Sequence, residues 1–158
     1  MLNPILDHTW IADHIPHQGT MCLLDRVEAW DDQHIQCRAL SHRTKDNPLR
    51  SHGRLGTACG IEYAAQAMAV HGALLAPAGS TSARIGYLVS IRSTQLYVPR
   101  LDDIAADLWV EATCITRGEN NILYQFSISA SEKILLDGRA AVVVNAEALT
   151  SNSLGNTP

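Results

Sequence analysis

The stretch Gly60-Ile61-Glu62-Tyr63-Ala64-Ala65-Gln66-Ala67-Met68-Ala69-Val70-His71-Gly72-Ala73-Leu74-Leu75-Ala76 decides the fold. It is rich in alanine and nearly apolar on every side, and between Arg54 and Arg84 its Glu62 is the one formal charge. A helix that is hydrophobic all round belongs inside a protein. The Pro77 to Ser82 punctuation of Pro, Gly and Ser is expected to close it.

Working outward, four stretches with strand character follow: Ile85 to Val98, Asp107 to Arg117, Ile122 to Ser131 and Lys133 to Asn145. Gly118-Glu119-Asn120-Asn121 and Ser131-Glu132 read as turns between antiparallel neighbours. Upstream, Met21 to Leu40 reads as two strands around Asp31-Asp32-Gln33, a hairpin that opens the domain. Thr9 to His14 predicts one or two helical turns capped by Thr9 and ended by Pro16. Residues 41–54 have no period of their own and form a loop long enough to be functional.

A strand pair, one long buried helix and a run of long antiparallel strands make an α+β fold, an antiparallel sheet wrapped around one long central helix. We expect a single domain over residues 1–147 and a disordered tail over 148–158, where Ser, Asn, Gly and Pro dominate. A single sheet covers only one side of an all-apolar helix, so the other side is expected to meet a second subunit.

Composition narrows the function classes. A chain of 158 residues can bury roughly 70% of its unfolded surface. With 46% hydrophobic residues but only 5% aromatics, its core must be aliphatic and alanine-built. The net charge of -4, without a basic cluster, argues against nucleic acid as a partner. No apolar run approaches 20 residues and no leader pattern opens the chain, so the expectation is a cytoplasmic protein that neither spans a membrane nor is secreted. The cysteines at 22, 37, 59 and 114 lack Cys-x-x-Cys spacing, and the seven histidines lack a His-Glu-x-x-His pattern, so no metal site is expected.

Glu62 is the residue that needs a reason. A carboxylate in an apolar helix is costly unless paired, hydrogen-bonded or protonated, and desolvation is expected to raise its pKa toward neutrality. Gln66, one turn on, can hold the carboxyl through its amide. The plainer alternative is that Glu62 only caps the helix, its charge meeting the positive end of the dipole. Gly60 and the helix start are expected to offer free N–H groups suited to a developing oxyanion. A carboxyl beside such donors suits thioester chemistry, in which a base takes the α-proton and an acid protonates the departing hydroxyl. That reaction calls for no cofactor. Cys59, Gly60 and Gln66 are the candidate substrate-binding positions. A nucleophilic Cys59, its thiol pKa lowered at the helix start, is weighed against a plain small buried residue.

Three segments carry a resemblance. Ile15-Pro16-His17-Gln18-Gly19-Thr20-Met21-Cys22-Leu23-Leu24-Asp25-Arg26-Val27 resembles the opening of the β-hydroxyacyl-ACP dehydratases, and Ile61-Glu62-Tyr63-Ala64-Ala65-Gln66-Ala67 resembles their central-helix motif. Val89 to Asp103 matches the strand and turn that follow, and order and spacing agree over roughly residues 9 to 146. The nearest branch is the divergent dehydratase-like proteins of bacterial aryl-polyene gene clusters. The resemblance implies a hotdog-fold dimer, either a homodimer or a heterodimer with a related dehydratase subunit. It implies dehydration of 3-hydroxyacyl thioesters on acyl carrier protein, or as CoA thioesters, to trans-2-enoyl thioesters. In that family a His and a Glu or Asp from opposite subunits act, and Glu62 matches the acidic residue.

The histidine does not carry over. Counting back from Glu62 without gaps places the family's Gly-His-Phe-Pro histidine on Pro48. His17, in the Pro-His motif, and His52, in the loop before the helix, are the catalytic candidates; the resemblance implies that ordinary dehydratases also carry the first without using it in catalysis, and the second is weighed against a solvated loop histidine. His71 falls about half a turn round from Glu62 and is expected to be a satisfied core or interface residue. Arg92 and Arg100 are weighed as docking residues for an acidic carrier against plain solvated positions. The alternative activities are a hotdog thioesterase, which would use the same carboxyl to activate water, and a weakly active or inactive partner subunit of a heterodimeric dehydratase.

Overall fold

The computed structural model describes residues 5–76 and 86–144. The punctuation at 77–82 and the expected tail from 148 lie outside them. Helix α1 spans His8–His14, and its cap is Asp7 rather than Thr9: the Asp7 carboxylate accepts from the Trp10 N–H at 3.0 Å. Helix geometry stops at His14, before Pro16. The hairpin is shorter than its apolar pattern suggests. Met21 lies in a tight turn over Gly19–Met21, and the strands are β1 (Arg26–Trp30) and β2 (His34–Ala39). Asp31 builds the connection, its Oδ1 accepting from the N–H groups of Gln33 and His34 at 2.8 and 2.7 Å.

Helix α2 spans Gly60–Leu75 and is entered through a 3-10 turn at Thr57–Cys59. It is followed by β3 (Gly86–Leu96), β4 (Leu108–Arg117), β5 (Asn121–Ala130) and β6 (Lys133–Val144). Among the described residues these form one antiparallel sheet in the order β1-β2-β4-β5-β6-β3, with β1 and β3 at its edges. The expected turns at Gly118 and Ser131 join β4 to β5 and β5 to β6.

Strand alternation delivers one apolar row per strand to the helix. Ile35 and Cys37, Val110 and Ala112, Tyr124 and Phe126, and Leu136 and Ala140 all point inward and are buried. Gly60 lets the head of α2 come close: a Cβ there would lie 2.7 Å from Leu136 Cδ2 and 3.0 Å from Ile128 Cδ1. Tyr63, Ala64, Ala67 and Val70 face the sheet and are buried, whereas Ile61, Ala65, Ala69 and Gly72 form a half-buried lane on the other side. That apolar lane is the uncovered side the sequence anticipates.

Candidate active site

Glu62 stands in the first turn of α2, and its Oε1 lies 3.1 Å from His17 Nε2. His17 comes from the segment between α1 and the Gly19–Met21 turn, so the pair joins two parts of one chain. Gln66, fully buried, fixes this geometry. Its Nε2 donates to Glu62 Oε1 at 3.2 Å and to the Met21 carbonyl at 2.7 Å, and its Oε1 accepts from the Leu23 N–H at 2.9 Å. Both of its N–H donors and its carbonyl oxygen are engaged by the carboxyl and by the strip that carries His17.

A second layer lies behind. The Leu23 carbonyl accepts from Ser41 Oγ at 2.8 Å, Ser41 Oγ meets the buried Tyr63 hydroxyl at 2.8 Å, and Asn47 Nδ2 donates to that hydroxyl at 2.9 Å. With Ser41 donating to Leu23, the Tyr63 hydroxyl donates to Ser41 and accepts from Asn47, so each group is satisfied. Ser41, Asn47 and Tyr63 were not singled out from sequence. Their signal was Asn47 before Pro48 and a tyrosine next to Glu62, and neither has a recognisable period.

The electrostatics correct one expectation. The Glu62 pKa is lowered, not raised, because the hydrogen bond from His17 outweighs the desolvation that opposes it, and Gln66 adds to the lowering. Glu62 is therefore a carboxylate at neutral pH. With Nε2–H directed at that carboxylate, the lone pair of a neutral His17 sits on Nδ1, a buried atom with no hydrogen-bond partner among the described residues.

The structure does not bring His52 to this pair. His52 and Gly53 form the tip of a tight turn closed by Ser51 and Arg54, both in the left-handed region at φ 53° and 76°, and the His52 side chain is exposed. Its backbone is committed to the turn, and no contact joins it to the Glu62 of the same chain. The Gly60 N–H is not free as expected; it bonds back to Thr57 in the 3-10 turn. The Cys59 thiol points to the Leu49 carbonyl at 3.8 Å, and burial raises its pKa, which leaves it a protonated, poor nucleophile. His71 is buried and satisfied, Nε2 on the Asp31 carbonyl at 2.8 Å and Nδ1 on the Tyr124 hydroxyl at 2.7 Å. Arg100 is paired with Asp102, which holds the Leu55 N–H just before the helix start. No helix among the described residues is long and apolar enough to cross a membrane.

An antiparallel sheet around a central helix, with a carboxylate and an imidazole at the helix head, defines a hotdog-fold protein. The solved structures agree. The chain is similar to a chain of the dehydratase heterocomplex ApeI:P from Xenorhabdus doucetiae at 22% identity and a TM-score of 0.78, covering 93% of this chain and 97% of that one. It is similar to a thioesterase of Haemophilus influenzae at 18% identity and a TM-score of 0.56, over 75% of this chain and 76% of that one. A thioesterase variant of Pseudomonas aeruginosa matches at 16% identity and a TM-score of 0.56, over 75% and 79%. No curated protein matches the chain significantly. The chain belongs to the ApeP-like family of dehydratases, whose sequence model, described as ApeP dehydratase, matches residues 9–152.

Proposed function

We propose that the chain dehydrates 3-hydroxyacyl thioesters borne by acyl carrier protein, with His17 and Glu62 of the same chain as the acid–base pair. The observation that carries this reading is the 3.1 Å contact between His17 Nε2 and Glu62 Oε1, together with the unpartnered Nδ1 on the far side of the ring. His17 takes the α-proton, and the Glu62 carboxylate favours the imidazolium that results. The electrons of the Cα–H bond become the Cα–Cβ double bond. As the bond from Cβ to oxygen breaks, the proton held by the pair passes to that oxygen and leaves as water. Gln66 acts by holding Glu62.

A second reading is that this chain mainly completes a related subunit's site. Two features favour it: the half-buried apolar lane of α2, and the exposed Leu88, Val89 and Leu96 on the edge strand β3. The similar structure from Xenorhabdus doucetiae is itself a heterocomplex of dehydratase subunits.

The test incubates purified chain, alone and with a related dehydratase subunit, with short 3-hydroxyacyl carrier protein. Water loss is followed by mass and free thiol by colorimetry. Conversion by the chain alone that falls about a hundredfold or more in His17→Ala and in Glu62→Ala supports the first reading. Conversion that needs the second subunit and is indifferent to both substitutions supports the other. Thiol release without water loss points to a thioesterase and defeats both.

A further inference from the structure

The face of the sheet turned away from α2 carries an arrangement that the site above does not use. There β3 and β6 place Arg92 directly opposite Arg139, and both side chains are exposed. Like charges directly opposite across an antiparallel pair destabilise it. Among the described residues neither guanidinium has an ion pair. The β5 partner of Arg139 is the uncharged Gln125. Asp137, two positions back along β6 on the same face, is engaged by the Tyr97 hydroxyl at 3.1 Å.

A cavity of about 350 Å³ opens between these strands and the end of the β4–β5 hairpin, lined by Arg92 and Arg139 with Ser90, Thr116 and Asn121. Ile122, Leu123 and Ala141 complete the lining, which thus offers two guanidinium groups, two hydroxyls and an amide and contains no acid. We propose that this cavity is a binding site for a phosphate group, gripped by Arg92 and Arg139 from two strands. A carboxylate is satisfied by the fork of a single arginine. A phosphate has more acceptor oxygens and a charge near -2, which matches two cations approaching from different directions. Its charge also removes the repulsion that the bare strand pair carries. The phosphate comes either as the free ion or as part of a nucleotide.

Thermal unfolding in phosphate-free buffer at constant ionic strength tests this. Inorganic phosphate raises the Tm of the wild-type chain by about 4 °C at ten times its dissociation constant, and further with the logarithm of its concentration. In Arg92→Gln and Arg139→Gln the concentration that gives the same rise is at least tenfold higher. Without phosphate, Arg139→Gln unfolds at the same temperature as wild type or higher, because the repulsion is gone. Adenosine 3′,5′-bisphosphate giving the same Tm rise at a concentration tenfold lower than inorganic phosphate assigns the nucleotide source, and an equal or weaker response assigns the free ion. A Tm rise that survives undiminished in both variants overturns the site. So does an Arg139→Gln chain that loses stability while keeping the wild-type phosphate response, since the arginines are then structural.

Discussion

Glu62 was legible as a residue out of place, since any carboxylate in an apolar helix must be paired, held or neutralised. Which of these applies depends on what reaches it from elsewhere in the chain. His17 lies 45 positions upstream, and only the folded strip from Ile15 to Leu24 delivers its Nε2 to 3.1 Å. The direction of the pKa shift follows: the donor wins over burial, and the carboxyl is held below the ordinary glutamate range. Removing the imidazole leaves the desolvation in place, so in His17→Ala the Glu62 pKa moves up. Carboxyl-carbon NMR titration of both proteins checks this, and an unchanged or lower value in the variant removes His17 as the cause. His52 is held differently: it and Gly53 spend their left-handed backbone on closing a turn, and no contact joins it to the Glu62 of its own chain.

At the level of elements, the fold depends on the strip that precedes β1 being fastened to α2. Leu23 is held through both of its main-chain groups, its N–H by Gln66 and its carbonyl by Ser41. Gln66→Leu keeps the volume but strips the Leu23 N–H and the Met21 carbonyl of their partners in a buried place. The expected cost is about 2–3 kcal/mol, read as a fall in the urea midpoint, with the Glu62 carboxyl losing a donor at the same time. If the midpoint holds, the clamp contributes less than its geometry implies. The strands β4, β5 and β6 were legible nearly to the residue because each alternates inward and outward around clear turns. Cys22, Leu23 and Leu24 read as strand because they are apolar, and apolar side chains also suit a strip laid against a helix. The backbone groups of Leu23 and Leu24 go to Gln66, Ser41 and His8, and pairing with β2 begins only at Asp25, whose N–H donates to the Arg38 carbonyl at 2.8 Å.

For the whole molecule, two features set its behaviour in solution. His42 and His71 are wholly buried, His42 on the carbonyls of Ile104 and Ala106. Burial lowers both pKa values below the ordinary 6.5. The sign is direct: above 6.5 both forms of the chain hold these rings neutral, and below it the unfolded chain takes up protons that the folded chain refuses. Stability should therefore fall as pH drops from 6.5 toward 5, by up to about 1.4 kcal/mol per pH unit for each histidine. Urea midpoints across that range measure the loss, and a flat profile shows that the folded chain protonates them. The other feature is the β3 edge, where Val89 is 55% and Leu96 50% exposed. An apolar, unpaired edge next to a half-covered apolar helix is a surface for another subunit. Val89→Lys is expected to weaken association at least tenfold by sedimentation, and unchanged association moves the contact elsewhere.

The sequence by itself determined the architecture, because hydrophobic period and turn residues are local properties. An apolar helix must be wrapped, and long alternating strands joined by short turns can only pair as antiparallel neighbours. It also marked Glu62 and Gln66, which share one face of one helix through a spacing of four. The tertiary structure decided what surrounds that carboxyl: that His17 is the imidazole beside Glu62, that its hydrogen bond outweighs burial in the Glu62 pKa, and that Ser41, Tyr63 and Asn47 brace the strip that brings the two together. These are contacts between segments far apart in the chain. Their distances and competing electrostatic effects exist only once the segments are packed.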